Sequence, residues 1–102
     1  MPIDKYVNGN DVELTLRRAT TNGEATVVVV GDFNDWSPGA HPMTAEADGW
    51  TCTFTVAVGK RYRFRYLLDG RRWENDWEAD DYVDNDFGGQ DSVVDVTTVP
   101  LD

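Results

Sequence analysis

Apolar and polar residues alternate with a period of two along several short segments of the chain. Val12, Leu14 and Leu16 are separated by polar residues, and the same alternation runs through residues 50–56 and 62–68. Successive side chains of a β-strand point to opposite faces, so each of these segments is predicted to be a strand with one buried face. Helical periodicity is weak throughout the chain.

Turn signals such as Asp69-Gly70 separate the predicted strands. Residues 25–30 are almost continuously apolar, which is typical of a central strand, and residues 71–73 and 92–96 predict two shorter strands. Residues 74–89 are acidic and are interpreted mostly as a loop. Six or seven short strands with regular turns predict an all-β fold, an antiparallel β-sandwich of about seven strands.

The length of the chain, 102 residues, fits a single domain over residues 1–102. Residues 1–9 show no clear alternation and are predicted to form a loose N-terminal tail. We find no apolar run near the roughly 20 residues of a membrane helix and no apolar leader segment. The single cysteine, Cys52, suits a reducing compartment, so we expect a cytoplasmic protein.

The formal net charge is -10 and the sequence pI is about 4.3. Such a field repels phosphate groups, so we expect neither nucleic acid nor a membrane as a partner. The acidic run around residues 84–91 does not meet the spacing of a calcium-binding EF-hand loop. His41 is the only histidine and Cys52 alternates with buried positions, so no catalytic residues, metal or cofactor are predicted.

Trp36 stands in a loop that follows the run of four valines, within the segment GDFNDWSPGAHPM of residues 31–43. Loops of this composition lie on the surface, which is an unusual position for the largest apolar side chain. Two interpretations are open. The indole ring either stacks on a ligand or folds back as a lid over the core.

The phase of residues 62–66 decides which side chains accompany Trp36. If the aromatic residues of this strand point into the core, Arg65 and Leu67 point outwards. Trp73 follows the next tight turn beside that outward face, and Trp36 can reach the same surface from its loop. The sequence therefore predicts a cluster of two indole rings and a guanidinium group.

This combination suits a sugar, because a pyranose ring has an apolar C–H face and a rim of hydroxyl groups. A rigid indole stacks on the C–H face, and arginine donates directed hydrogen bonds to hydroxyls. Exposed aromatic pairs also mark protein interfaces, so that alternative stays open. Trp77 is a further candidate that could replace or assist Trp73.

Three motifs resemble a known family: GDFNDWSPGAHPM at residues 31–43, DGW at residues 48–50 and YRFRYLLDGRRW at residues 62–73. They are similar to the isoamylase N-terminal-like domains, which form carbohydrate-binding module family 48 and include the glycogen-binding domain of the AMP-activated protein kinase beta subunit. The resemblance runs from about residue 25 to residue 96. It implies an immunoglobulin-like, early-set β-sandwich that binds α-1,4-linked glucans such as glycogen, starch and malto-oligosaccharides without catalysis.

The resemblance also implies roles for individual residues. Trp36 and Trp73 match the stacking tryptophans of the family, and Arg65 matches a basic residue that points at the sugar. Leu67 is expected to shape the rim of the site.

Three positions in the late loop depart from the family pattern. Phe87 corresponds to a bulky aliphatic residue that contacts the glucan and is also expected to shape the rim. Gly89 and Asp91 correspond to a threonine and an asparagine, so Gly89 offers only backbone groups and Asp91 accepts hydrogen bonds but cannot donate them. The changes at Gly89 and Asp91 favour the alternative in which sugar binding has been lost and the aromatic face docks a partner enzyme, although the two tryptophans are retained.

Overall fold

The structure, a computed structural model, describes residues 3–20, 23–86 and 88–97. Nine strands lie within these ranges: β1 (Asp4–Asn8), β2 (Asp11–Ala19), β3 (Val27–Gly31), β4 (Thr44–Glu46), β5 (Gly49–Ala57), β6 (Arg61–Leu68), β7 (Arg72–Glu74), β8 (Asp81–Asp84) and β9 (Gln90–Asp95). A 3₁₀ turn, Asp32–Asn34, follows β3. A search of the described residues for a membrane-crossing helix, one both long and apolar, finds none.

The strands form two antiparallel sheets. One has the order β1-β2-β5-β4, and the other has the order β3-β6-β9-β8, with β7 also paired to β6. The predicted all-β antiparallel sandwich is confirmed, with nine strands in the described residues rather than about seven. The prediction omitted β1, β4 and β8.

The core lies between the sheets and follows the alternation in the sequence. Leu14 and Leu16 of β2 are fully buried, as are Phe64 and Tyr66 of β6. Burying such side chains contributes roughly 25 cal/mol for each Å² of apolar surface removed from water. Because alternate residues of β6 face the core, Arg65 faces the outer side of its sheet.

The N-terminal segment is not a loose tail, so that prediction was wrong for the described residues of the segment. Residues 4–8 pair antiparallel with residues 11–15 of β2, and the Ile3 side chain is 9% exposed and belongs to the core. Lys5 also donates from Nζ to Asp80 at 2.7 Å. An edge strand is held mainly by backbone hydrogen bonds, which a polar sequence forms without apolar alternation.

The acidic loop predicted over residues 74–89 contains strand β8, which is a second correction. Residues 81–84 pair with residues 90–93 of β9, and Arg61 binds Asp81 across the sheet with an Nη2–Oδ2 distance of 2.6 Å. Ion pairs such as Arg61–Asp81 neutralise part of the negative charge of this segment, so the segment forms a strand although its acidity indicated a loop. The 90–93 pairing brings the end of the acidic segment close to β6.

Strand β6 is the central element for the site. One of its edges pairs with β3, while the other edge pairs with β9 at residues 61–64 and with β7 at residues 66–68. Arg65 therefore lies at the junction between β9 and β7. Side chains from three strands and from the loop after β3 converge on the outer face at this junction.

Candidate ligand-binding cleft

The loop after β3 has a defined backbone conformation that presents Trp36. Asp35 and Trp36 both have positive φ angles, 56° and 57°. Non-glycine residues adopt such angles at a cost and need support from their surroundings. The Asn34 side chain supplies this support through two hydrogen bonds. Its Oδ1 accepts from the Gly31 N–H at 3.1 Å, and its Nδ2 donates to the Val29 carbonyl at 2.9 Å.

The indole of Trp36 is fixed by one carboxylate. Its Nε1 donates to Oδ1 of Asp32 at 2.9 Å, and Oδ2 of Asp32 accepts from the Arg63 backbone N–H at 2.8 Å. Asp32 thus joins the loop to β6 and sets the ring orientation. Trp36 is partly exposed, and the core cluster found among the described residues does not include it. The ring is therefore not a lid over the core.

Trp73 lies on β7, directly opposite Leu67 of β6. Trp73 is 42% exposed and Leu67 is 6% exposed. The sequence analysis predicted Leu67 on the rim of the site, but the structure puts it in a buried position beside Trp73. Leu67 is thus positioned to support the indole from within the sheet.

Arg65 lies next to Trp73 on the outer face. Its guanidinium carbon is 5.9 Å from the centroid of the Trp73 ring, a distance typical of a cation–π contact. Its Nε is buried and has no hydrogen-bond partner in the part of the chain that the structure describes. A buried N–H without a partner costs free energy, and the rest of the Arg65 guanidinium, which lines the cleft, can donate hydrogen bonds to a ligand oxygen.

These residues meet in one cleft of about 580 Å³. Its lining comprises Trp36, Arg63, Arg65, Trp73, Asn85, Asp86 and Asp91. Four of the six side chains singled out from the sequence thus lie together: Trp36, Arg65, Trp73 and Asp91. Leu67 is not among the described residues that line the cleft, and Phe87 lies outside the described residues.

Arg63, Asn85 and Asp86 were not among the residues predicted for the site. Alternation along β6 does put Arg63 on the same face as Arg65, so that signal was present in the sequence. Asn85 and Asp86 reach the cleft because β8 pairs with β9 and β9 pairs with β6. This register links distant parts of the chain and is not visible in local spacing.

Asp91 brings a buried carboxylate to the cleft. It is 6% exposed, its Oδ1 accepts from Nδ2 of Asn85 at 3.1 Å, and its Oδ2 lies 4.0 Å from Nη1 of Arg63. Buried polar groups are normally fully hydrogen-bonded. The Oδ2 atom has only this long contact among the described residues, so it can accept a hydrogen bond from a ligand.

His41 and Cys52 are not arranged for catalysis. Nδ1 of His41 accepts from Nδ2 of Asn34 at 2.8 Å, its ring packs on Phe33 and Phe54, and burial lowers its pKa below the ordinary value. Burial raises the pKa of the Cys52 thiol, which disfavours the nucleophilic thiolate. Within residues 3–20, 23–86 and 88–97, no group of three or more His, Cys, Asp or Glu side chains could hold a metal ion.

Trp77 lies apart from the cleft. It lines a second cavity, of about 290 Å³, between the end of β2 and the loop that joins β7 to β8. The two tryptophans after β6 therefore belong to different concave sites.

A β-sandwich with an open cleft of aromatic, guanidinium and carboxylate groups on one sheet is typical of one class of protein, the binding modules. Comparison with known families agrees with this class. The model of carbohydrate-binding module 48, the isoamylase N-terminal domain, matches residues 10–83, which are 74 of the 102 residues. The chain belongs to this family.

Two curated relatives share part of the sequence. The 1,4-alpha-glucan branching enzyme GlgB 2 of Xanthomonas campestris pv. campestris strain 8004 is 44% identical over 48 residues, which cover 44% of this chain. GlgB 2 from a second strain of the same pathovar matches with the same identity and coverage. The chain spans 7% of the length of these enzymes.

Proposed function

We propose that this chain is a non-catalytic module that binds α-1,4-linked glucans, with glucose rings stacked on Trp36 and Trp73. The observation that carries the proposal is that both indoles line the same cleft, on the outer face of one sheet. Family membership supports a carbohydrate ligand. The name of the relative, a 1,4-alpha-glucan branching enzyme, supports this linkage class.

The stacking role is supported by the rigidity of the aromatic groups. The bond from Trp36 to Asp32 fixes one ring before any ligand arrives. Leu67 lies opposite Trp73 in the strand pairing, and the Arg65 guanidinium lies beside the second ring. A preorganised site loses less conformational entropy when the ligand binds.

The polar half of the proposed site combines donors and acceptors for sugar hydroxyls. Arg65 offers the donors of its guanidinium group, and Arg63 adds a second guanidinium. Oδ2 of Asp91 accepts from a hydroxyl, in place of the amide expected from the family resemblance. Phe87 remains a proposed rim residue on the strength of the resemblance alone.

The proposed partners follow from charge and from the chemistry of the cleft. With a net charge of -10, the chain repels phosphate-rich surfaces, so a neutral polysaccharide or oligosaccharide is the preferred ligand.

The single cysteine suits a reducing compartment, and we propose that the chain is located in the cytoplasm.

A titration with maltoheptaose tests the proposal, followed by tryptophan fluorescence and by amide chemical shifts in ¹⁵N NMR spectra. We expect a Kd on the order of 10 μM to 1 mM, because few residues engage and hydrated hydroxyls must be desolvated. Trp36→Ala and Trp73→Ala should each weaken binding about tenfold or more. Tyr6→Ala is the matched control, because Tyr6 is 68% exposed on β1 of the other sheet.

The competing function is docking of a partner enzyme through the same aromatic cleft. The acceptor-only carboxylate of Asp91, already bonded to Asn85, favours it because that position lacks a donor. If millimolar maltoheptaose shifts no amide near Trp36, Arg65 or Trp73, the glucan proposal is wrong and docking is the better explanation. Shifts of the amides around Trp36, Arg65 and Trp73 support the glucan.

A further inference from the structure

The second cavity lies at one end of the sandwich, between the end of β2 and the loop from β7 to β8. Its described lining comprises Arg17, Arg18, Ala19, Tyr66, Asn75, Asp76, Trp77 and Glu78. Its volume of about 290 Å³ is at the lower end of the range for small-molecule sites, roughly 300–1,000 Å³. A single sugar ring is a suitable size for such a cavity, whereas a long segment of a partner protein is not.

Trp77 is the aromatic element of this cavity. It is 82% exposed, more than Tyr6 at 68% or Trp73 at 42%. So large an exposed apolar ring beside a cavity is typical of a binding site rather than of core packing. Trp77 is absent from the core cluster found among the described residues, so its ring is free to contact a ligand in the cavity.

The backbone on both sides of Trp77 is held by Asp76. The Asp76 carboxylate accepts from the Tyr66 hydroxyl at 2.6 Å and from the Glu78 N–H at 2.7 Å. The Asp76 N–H donates to Oγ of Ser92 at 2.8 Å. The ring is thus carried on a fixed loop, which lowers the entropic cost of stacking.

Arg18 supplies a hydrogen-bond donor at the same cavity. Its side chain is 8% exposed, its Nη2 donates to Oε1 of Glu74 at 2.8 Å, and its guanidinium carbon lies 5.2 Å from the centroid of the Tyr66 ring. Its Nε is buried without a hydrogen-bond partner among the described residues. Buried donors normally have a partner, so the hydrogen bonding of Arg18 is incomplete among the described residues, at a side chain that lines the cavity.

The charges around the cavity favour a neutral ligand. Arg17 and Arg18 are balanced by Asp76 and Glu78 in the lining. An anion or a cation would gain little from such a balanced field, whereas hydroxyl groups pair with both kinds of side chain. An exposed indole next to a guanidinium donor is the same combination of groups found in the cleft of Trp36 and Trp73.

We propose that this cavity is a second sugar-binding site, which takes one glucosyl unit stacked on Trp77 and hydrogen-bonded to the guanidinium group of Arg18. The inference rests on the proposed glucan-binding function. The two sites are separate because Arg65 and Tyr66 are adjacent in β6 and point to opposite faces of the sheet. Two weak sites on one module increase the affinity for a polysaccharide through avidity.

The test is a maltoheptaose titration of the full chain to about 20 mM, a concentration that detects millimolar sites, with amide shifts recorded by ¹⁵N NMR. We expect two groups of shifts in the wild type, one around Trp36 and Trp73 and one at residues 17–19 and 75–78. Trp77→Ala should remove only the second group and weaken retention on glycogen in affinity electrophoresis about threefold or more. Tyr6→Ala serves as the exposed-aromatic control in both measurements.

The double variant Trp36→Ala/Trp73→Ala separates this inference from the proposed function. Persistence of the second group of shifts in that variant supports an independent site. Shifts around Trp36 and Trp73 alone would overturn the second site and leave the proposed function intact. Shifts at residues 17–19 and 75–78 alone would do the reverse, and the absence of any shift would overturn both.

Discussion

Asp32 bonds the Trp36 indole through one carboxylate oxygen and the Arg63 backbone N–H through the other, at 2.9 and 2.8 Å. Asp32 does not appear among the described residues that line the cleft, so it acts on a ligand through the two lining residues that it holds, Trp36 and Arg63. We predict that Asp32→Ala weakens maltoheptaose binding about three- to tenfold, because the ring loses its fixed orientation. Fluorescence titration measures this change.

Asp32→Asn is the graded companion variant. An amide oxygen accepts from one of the two donors, while the amide nitrogen opposes the other, so the loss should be intermediate. Equal affinities for the wild type and Asp32→Ala would show that ring orientation does not limit binding.

Gly31 precedes the Trp36 loop and allows β3 to approach β6 closely. A Cβ at this position would overlap the Arg63 carbonyl oxygen and lie 2.7 Å from Cβ of Phe64. We predict that Gly31→Ala lowers the free energy of unfolding by about 3 kcal/mol, at the upper end of overpacking effects. Urea denaturation followed by fluorescence measures it.

Gly39→Ala is the control for that prediction. Gly39 lies in the same loop region, and a Cβ there meets no atom within 4 Å. Its effect should stay within about 0.5 kcal/mol, as for most surface substitutions. Similar losses for both variants would contradict the steric argument.

The buried hydroxyl of Tyr66 is predicted to stabilise the loop that carries Trp77. Burial and the neighbouring Asp76 carboxylate hold the pKa of Tyr66 well above its ordinary value, so the hydroxyl remains a donor. Tyr66→Phe leaves a buried carboxylate oxygen without this bond and should cost about 1–3 kcal/mol. Tyr82→Phe removes only a bond to the Asp76 carbonyl and should cost about 0.5–1.5 kcal/mol. Chemical denaturation that ranks the two variants in the opposite order would refute this prediction.

The stability of the fold should depend on pH through His41. Burial lowers the pKa of His41 below its ordinary value of 6.5, so the folded chain binds this proton less readily than the unfolded chain. The free energy of unfolding should therefore fall as the pH drops from 7.5 to 5.5. Hydrogen bonds from arginine lower the pKa of Glu74 and of Asp81, whose stabilising contributions are lost only at more acidic pH.

Urea unfolding at several pH values in this window checks the prediction. His41→Asn is the control, because His41 is the only histidine of the chain and the variant should show a flat profile. An unchanged slope in that variant would assign the pH dependence to other groups.

Much of the fold was predictable because the alternation of apolar and polar residues along a strand follows the alternation of buried and exposed side chains. Leu14, Leu16, Phe64 and Tyr66 are fully buried as their phase indicates. The edge strands β1 and β8 were not predictable in the same way. Backbone pairing and cross-strand ion pairs, such as Arg61 with Asp81, hold β8 together, and neither leaves an apolar pattern.

Site residues could be predicted where their position depends on the alternation of side chains along one strand. They could not be predicted where it depends on the pairing register between strands. The phase of β6 indicates that Arg65 points outwards, and the next turn brings Trp73 beside it. The contribution of Asn85 depends on how β8, β9 and β6 align, which no local spacing encodes. The separation of Trp73 from Trp77 likewise depends on the path of a loop held by Asp76.

Alternation in β6 gives each residue of the strand a single side of the sheet, with Arg65 on one and Tyr66 on the other. A shift of the strand register by one residue would exchange the sides on which these two residues lie. It would bury the Arg65 guanidinium in the core and expose the Tyr66 phenol at the outer surface. An insertion or deletion within β6 would therefore alter both the cleft of Trp36 and Trp73 and the cavity of Trp77. The shape of both regions can therefore change through exchange of side chains at fixed backbone positions and through changes of loop length.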